Sequence, residues 1–197
     1  MIVEKAAALL NQQGYLVSSV YDVMKETGLE KGGIYYHFGG KEELALEAYR
    51  FARDLVGHEI KKALHSTDSS IGRLYSLLEV FRNLAHGVPI KGGCPTMNVS
   101  IESDDAHPAL CTEARNAMAW VYKTVKTVVL TGIEKQEFAP DCNPDQIASI
   151  FISTAEGALM LSKLFDDTTY MDRAILHLKS YLSSCTANLS KPQGGPS

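Results

Sequence analysis

The sequence predicts an all-α protein of about nine helices. Apolar residues recur at three- and four-residue spacing along most of the 197 residues, and glycines and prolines punctuate these runs where helices would end. No stretch alternates apolar and polar residues as a half-buried strand would, and no internal repeat is present. Hydrophobic residues make up 45% of the chain, enough to bury a sizeable core.

Ile2, Val3, Ala6, Leu9 and Leu10 predict a first helix over residues 1–13, ended by Gly14-Tyr15. Ser18 or Ser19 caps a second, with Asp22 in its first turn and Val20, Val23 and Met24 as its apolar stripe, and Thr27-Gly28 stops it. A short third helix spans Glu30 to Phe38 and turns Leu29, Ile34 and Phe38 inward. Gly39-Gly40 then breaks the chain, and a long fourth helix runs from Lys41 to about His65, packed through Leu44, Ala48, Ala52, Leu55 and Ile60. Ile71 to His86 is amphipathic. A loop rich in Gly and Pro over 87–95 leads to a short sixth helix, Thr96 to Glu102, and a loop at Asp104–Pro108. Three longer helices follow, Ala109–Glu134, Asp145–Phe165 and Tyr170–Ser184, with Phe138–Pro144 connecting the first two. The tail, 188–197, is expected to be disordered.

Net charge is −4, and residues 1–50 carry five basic against seven acidic side chains, which excludes a strongly basic nucleic-acid clamp. No run of eighteen apolar residues is free of polar interruption, and no charged-then-apolar leader begins at Met1. A soluble cytoplasmic protein is expected, with no membrane partner. Cys94, Cys111, Cys142 and Cys185 are widely separated and form no CxxC pair, which suits a reducing compartment. The six histidines show no HxxxH or HExxH spacing, so no metal, other cofactor or catalytic triad is expected.

Residues 28–44 carry the chemistry. Lys31, Tyr35, Tyr36, His37 and Lys41 crowd a short helix flanked by glycines, which supplies more donors and rings than packing requires. A second helix, a turn of three or four residues and a third helix at a steep angle make the unit whose last helix enters the major groove. Gly32 and Gly33 are poor helix formers, costing about 0.8–1 kcal/mol each relative to Ala, and suggest that the backbone approaches a partner closely. Tyr35 and Tyr36 can donate to phosphates or pack on thymine methyls, and Lys41 can share a phosphate with the helix N–H groups beside it. The plainer alternative is an ordinary three-helix core with incidental surface tyrosines.

Over Ile2–Leu46 the chain resembles the DNA-binding domain of TetR-family transcriptional regulators. The matching runs are Gly14-Tyr15, Ser18-Ser19-Val20 followed after one residue by Asp22-Val23, Thr27-Gly28-Leu29, Lys31-Gly32-Gly33-Ile34-Tyr35-Tyr36-His37-Phe38 and Lys41-Glu42-Glu43-Leu44. The resemblance implies DNA contacts from Ser18, Lys31, Gly32, Gly33, Tyr35, Tyr36, His37 and Lys41. It also implies a homodimer on a palindromic double-stranded operator, with repression relieved by a small molecule. Two departures stand out. The chain starts at Met1, almost at the first helix, so the basic arm many relatives carry before it is expected to be absent or trimmed, and Glu30 stands where a small hydroxyl residue is common.

A second constellation, Gly92-Gly93-Cys94-Pro95-Thr96-Met97-Asn98 with Glu102 and His107-Pro108, resembles the start of the ligand-binding domain in one branch of that family. Trp120 and Glu156-Gly157 also have counterparts there. Asn98 and Glu102 lie four apart on one helix face and would anchor a largely apolar effector in a pocket walled by Phe81, Leu84, Met97, Trp120 and Tyr122. Alternatively these aromatics are core and Asn98 caps a backbone group. Glu156, among small residues, must find a donor, neutralise or meet a ligand. Cys94, beside a Gly-Gly loop, is either a reactive sensor thiol or a small buried hydrophobe.

Ile147 to Phe165 is apolar nearly all round and needs cover on two faces, so a partner copy is expected there. The expected seam is Phe151, Ala155 and Leu159, with Leu178 and Tyr181 from the last helix, forming a four-helix interface. The division is then a DNA-binding unit at 1–46 and a ligand-binding and dimerisation unit at 47–187. Two other classes remain open: an all-α enzyme using Glu156, Cys94 and His107, and an adaptor that binds protein through its tyrosines.

Overall fold

A computed structural model describes residues 2–103 and 107–187; the expectations for 104–106 and for the tail at 188–197 fall outside the described residues. Among the described residues nine helices form: α1 (Ile2–Gln13), α2 (Val20–Thr27), α3 (Lys31–Phe38), α4 (Lys41–Leu64), α5 (Ser70–Ala85), α6 (Pro95–Ser103), α7 (Pro108–Glu134), α8 (Pro144–Phe165) and α9 (Thr169–Ser184). Their starts differ from the sequence expectation by one residue where proline leads. Pro108 and Pro144 occupy the first helical turn, where a missing N–H costs nothing. One isolated bridge, Phe138 to Thr186, ties the α7–α8 connector to the end of α9.

Helix α1 lies along α4, and small residues let the two approach closely: Ala6 and Ala7 on one side, Ala45, Ala48 and Ala52 on the other, all buried. Tyr15 meets Tyr49 edge-on at 6.0 Å. Helices α2 and α3 pack on each other, and α3 rests on the start of α4. Because α4 is continuous, the expected domain boundary at 46/47 falls inside a helix. The rest of the chain wraps α5 with α4, α7, α8 and α9, while α6 sits between α4 and α7.

Helix α8 is long and apolar enough, by length and composition, to cross a membrane. Its apolar side is instead covered: Ile147, Phe151, Ala155 and Leu159 are buried, next to α5, α7 and α9. This corrects the expected dimer seam. Phe151, Ala155, Leu159 and Leu178 are at most 1% exposed within their own chain, and Tyr181 is half-buried. The apolar side chains of α8 and α9 left open are Met160, Leu164, Phe165 and Leu176. Periodicity identified two apolar faces on α8 but not which one the chain covers itself.

The two parts of the chain are joined by a buried polar clasp. Asn98, on α6, donates from Nδ2 to the Asn11 carbonyl at 3.1 Å, to Asn11 Oδ1 at 3.0 Å and to the Gly92 carbonyl at 3.0 Å. Asn11 in turn donates to the carbonyls of Lys91 at 2.8 Å and Gly93 at 3.1 Å. One turn further along α6, Glu102 Oε2 accepts from the Leu16 N–H at 3.1 Å. Gly92 is required here twice over. Its φ is +100°, and a Cβ would stand 2.3 Å from the Asn11 carbonyl oxygen. We expect Gly92→Ala to destabilise the protein by about 1–3 kcal/mol, read as a lower urea midpoint. An unchanged midpoint would show that the clasp does not hold the fold.

Candidate nucleic-acid interface and effector groove

Ser19, not Ser18, caps α2. Its hydroxyl accepts from Asp22 N–H at 3.2 Å while Asp22 Oδ2 accepts from Ser19 N–H at 2.8 Å, a reciprocal capping box. The same Ser19 bonds hold the Asp22 carboxyl below its ordinary range. Gly28 closes α2 and Gly39 closes α3. Glu30 precedes α3 without a side-chain cap bond and stands exposed. Ile34 of α3 is fully buried and Phe38 packs half-buried against the core, which leaves Lys31, Gly32, Tyr35, Tyr36 and His37 facing outward.

That outward face carries Tyr36, 85% exposed, and Tyr35, 47% exposed, with the Lys31 ammonium 5.9 Å from the Tyr35 ring centroid. His37 packs edge-on against Tyr36 at 5.2 Å and is also exposed. A Cβ on Gly32 would meet nothing within 4 Å, and one on Gly33 would meet only Leu29 at 3.5 Å. Packing within the chain therefore does not demand glycine at either position. Tyr21, 70% exposed at the start of α2, shares the open character of this surface and escaped the sequence reading. The signal was present: the Val20, Val23 and Met24 stripe leaves Tyr21 on the polar side.

Two expected contacts are engaged elsewhere. The Ser18 hydroxyl is buried and donates to the Gly14 carbonyl at 2.7 Å. The Lys41 ammonium donates to the Leu16 carbonyl. Leu16 is thus gripped at its carbonyl by α4 and at its N–H by Glu102, so the turn leading into α2 is held from both sides.

The expected effector wall does not assemble as one cavity. Phe81 and Leu84 are core, and Phe81 packs edge-on against Phe151 at 6.3 Å. Met97 is half-buried against the same core. Tyr122 turns to α8, donating to the Asp145 carbonyl at 3.1 Å. Asn98 and Glu102 face α1, and Asn98 Oδ1 also accepts from Lys163 of α8 at 3.2 Å. Of the expected wall, Trp120 alone lines a groove of about 600 Å³ between α4 and α7 that also touches Thr96 of α6. Most of the other lining residues, Gly57, His58 and Lys61 among them, carry no signal in the sequence because α4 and α7 are brought together only by tertiary packing.

Glu156 and Cys94 do meet. The Glu156 Oε2 atom is buried without a hydrogen-bond partner, and burial raises this carboxyl to about 7, offset in part by a hydrogen bond from the Cys94 thiol. Burial first, and the nearby Glu156 charge second, push the Cys94 thiol well above its ordinary range. A thiol held protonated under protein is a poor nucleophile, which supports the buried-hydrophobe reading of Cys94. His107 caps α7, its Nδ1 accepting from Leu110 N–H at 3.2 Å. Among the described residues no cluster of His, Cys, Asp or Glu could hold a metal ion.

Comparison with known proteins fits this layout. Residues 2–48 match the family model for bacterial regulatory proteins of the tetR family, and residues 70–178 match the tetracyclin repressor-like C-terminal domain. A TetR transcriptional regulator from Chloroflexus aurantiacus is 39% identical, superposes with a TM-score of 0.88 and is covered over 92% of each chain. The HTH-type transcriptional regulator LmrA of Bacillus subtilis is 28% identical over 195 residues, covering 96% of this chain and 95% of its own. The regulator CifR, solved with a 26-base-pair operator duplex, shares the fold at 16% identity, with a TM-score of 0.78 over 89% of this chain and 93% of its own.

The Glu156 carboxyl supplies a pH test. Its folded value lies above the unfolded value of 4.5, so the folded chain binds the proton more tightly. Stability is therefore highest below about 4.5, falls as pH rises toward about 7 and levels off above it. Between pH 5 and 8 the wild type should lose about 2–3 kcal/mol relative to Glu156→Gln, measured by urea unfolding of both. Parallel curves for the two proteins would contradict this assignment.

Proposed function

The chain belongs to the TetR family of bacterial regulatory proteins and is a DNA-binding transcriptional regulator, and from that premise we propose that it is an effector-responsive repressor acting as a homodimer on a palindromic operator. Residues 1–46 form the DNA-reading unit, and 47–187 the effector-binding and dimerisation unit.

The observation that carries this reading is the open face of α3. Tyr35, Tyr36, Lys31 and His37 point outward, and the Cβ positions of Gly32 and Gly33 leave the helix backbone accessible. In the major groove the tyrosines donate to phosphates or lie on thymine methyls, Lys31 neutralises a phosphate, and Tyr21 at the start of α2 borders the adjoining backbone. Ser18 and Lys41 act as positioning groups for the turn before α2, because their side chains are already satisfied by Gly14 and Leu16.

A single such unit reads few bases with few charges, so pairing is what makes it specific. Met160, Leu164, Phe165 and Leu176 stay open on α8 and α9, and a Cβ on Gly157 would meet nothing within 4 Å. A second copy laid against this face covers them and sets the two α3 helices on successive turns of one side of the duplex, about 34–36 Å apart. An effector in the α4–α7 groove then acts by favouring a dimer whose α3 helices no longer match that spacing.

Selection of binding sites from random double-stranded DNA by the wild-type chain tests this directly. The expected product is an inverted repeat bound by two chains. Tyr36→Ala should weaken binding by about 1–3 kcal/mol per half-site, and Lys31→Gln should lower the salt slope by about one per half-site. Enrichment of no sequence, or a single half-site bound by one chain, would overturn the reading.

A further inference from the structure

We propose that the effector is a small aromatic anion, held with its ring on Trp120 and its carboxylate or comparable acid group on Lys61 and His58. This rests on the reading of the chain as an effector-responsive regulator and deepens it, since the fold alone specifies no chemistry for the ligand.

The charges along the α4–α7 groove decide its preference. Among the described residues Asp54 is the one acidic side chain lining it, and its Oδ1 accepts from Arg53 at 2.9 Å. Arg53 also donates to Glu113 at 2.7 Å, so the guanidinium is fully matched. Lys61 and His58, three apart on α4, have no polar side-chain partner among the described residues, and both are exposed. The unmatched charge in the groove is therefore the Lys61 ammonium, with the His58 imidazole beside it as a further donor. A second recess that shares Trp120 is lined by His65, Arg73 and Lys123 and, among the described residues, by no acidic one. A chain with a net charge of −4 thus presents its single tryptophan to two recesses whose unmatched side chains are basic. That is a local reversal of sign, and it favours a negative ligand by direct attraction.

Shape points the same way. Trp120 is 39% exposed, so part of its indole surface is open to a ligand ring. Gly57 lines the groove in the middle of α4, a position where glycine weakens a helix, yet a Cβ there would meet nothing within 4 Å. Its absence keeps the groove open rather than relieving any contact in the chain. A volume of about 600 Å³ suits a one- or two-ring compound and not a folded partner. Thr96 gives the groove a route to the DNA-reading unit. It lines the recess, its hydroxyl lies 3.2 Å from the Tyr49 hydroxyl, and two residues later Asn98 begins the clasp on α1.

The single tryptophan makes the test direct. Trp120 fluorescence is followed while wild-type protein is titrated with trans-cinnamate, benzoate and 2-naphthoate, and with the neutral amide of each. At least one carboxylate should quench saturably and bind about tenfold more tightly than its amide. Lys61→Gln should remove most of that preference while leaving the amide's affinity in place, and Gly57→Phe should abolish both. The wild-type comparison stands whether or not a variant folds, and circular dichroism identifies any variant that does not. If every amide binds as well as its acid, if none of the carboxylates binds, or if the preference survives Lys61→Gln, the proposal is overturned. The regulator reading fails separately: a chain that binds the carboxylates yet enriches no DNA sequence contradicts that reading and leaves the anion site in place.

Discussion

The polar clasp between α1 and α6 is the constraint on which the rest of the structure depends. Its centre, Asn11, is 1% exposed, and burying a side-chain amide is unfavourable unless its polar atoms are satisfied. Both Asn11 and Asn98 meet that condition through backbone carbonyls, each other, Tyr15 and Lys163. A network satisfied in this way has one low-energy geometry, because any shift of α6 relative to α1 leaves buried donors unpaired. The clasp therefore fixes the angle at which the recognition unit is carried. Gly92 and Gly93 follow from the same requirement: the loop must present the Lys91 and Gly93 carbonyls to Asn11 and the Gly92 carbonyl to Asn98 while its backbone touches that of α1.

From the clasp the connection runs in two directions. Toward the DNA side, Glu102 holds the Leu16 N–H and Lys41 holds the Leu16 carbonyl, so the turn before α2 cannot move without disturbing α6 or α4. Toward the other side, Lys163 brings α8 to Asn98, and Gly93 packs near Leu159 of the same helix. Helix α6 is thus placed between the helix expected to meet a second copy and the turn that aims α3. The groove lies against α6 as well, through Thr96. An effector seated there would press on the element that both other activities share.

Much of this was legible in the chain. Helical spacing located the helices of the described residues, and the Lys31–Phe38 run pointed to the exposed face of α3 on which the proposed DNA contacts lie, because local periodicity and turn chemistry are encoded by neighbouring residues. What escaped was long-range direction. Asn98 and Glu102 were correctly placed on one face of α6, but that face meets α1, some 87 positions earlier in the chain, rather than a ligand. Phe151, Ala155 and Leu159 were correctly seen as apolar, yet nothing local distinguishes a face that covers its own core from one that waits for a partner. The groove was the hardest to foresee, since Gly57, His58 and Lys61 resemble an ordinary solvated stretch until α7 brings Trp120 beside them.

The most direct measurement is the affinity of Glu102→Ala and Asn98→Ala for the duplex selected by the wild-type chain, read by fluorescence anisotropy at fixed salt. Both side chains are turned toward α1 and the turn that follows it, away from the open face of α3. If the clasp positions the recognition unit, each variant should bind at least about tenfold more weakly while keeping wild-type helix content and subunit stoichiometry. Wild-type affinity in both variants would contradict the account.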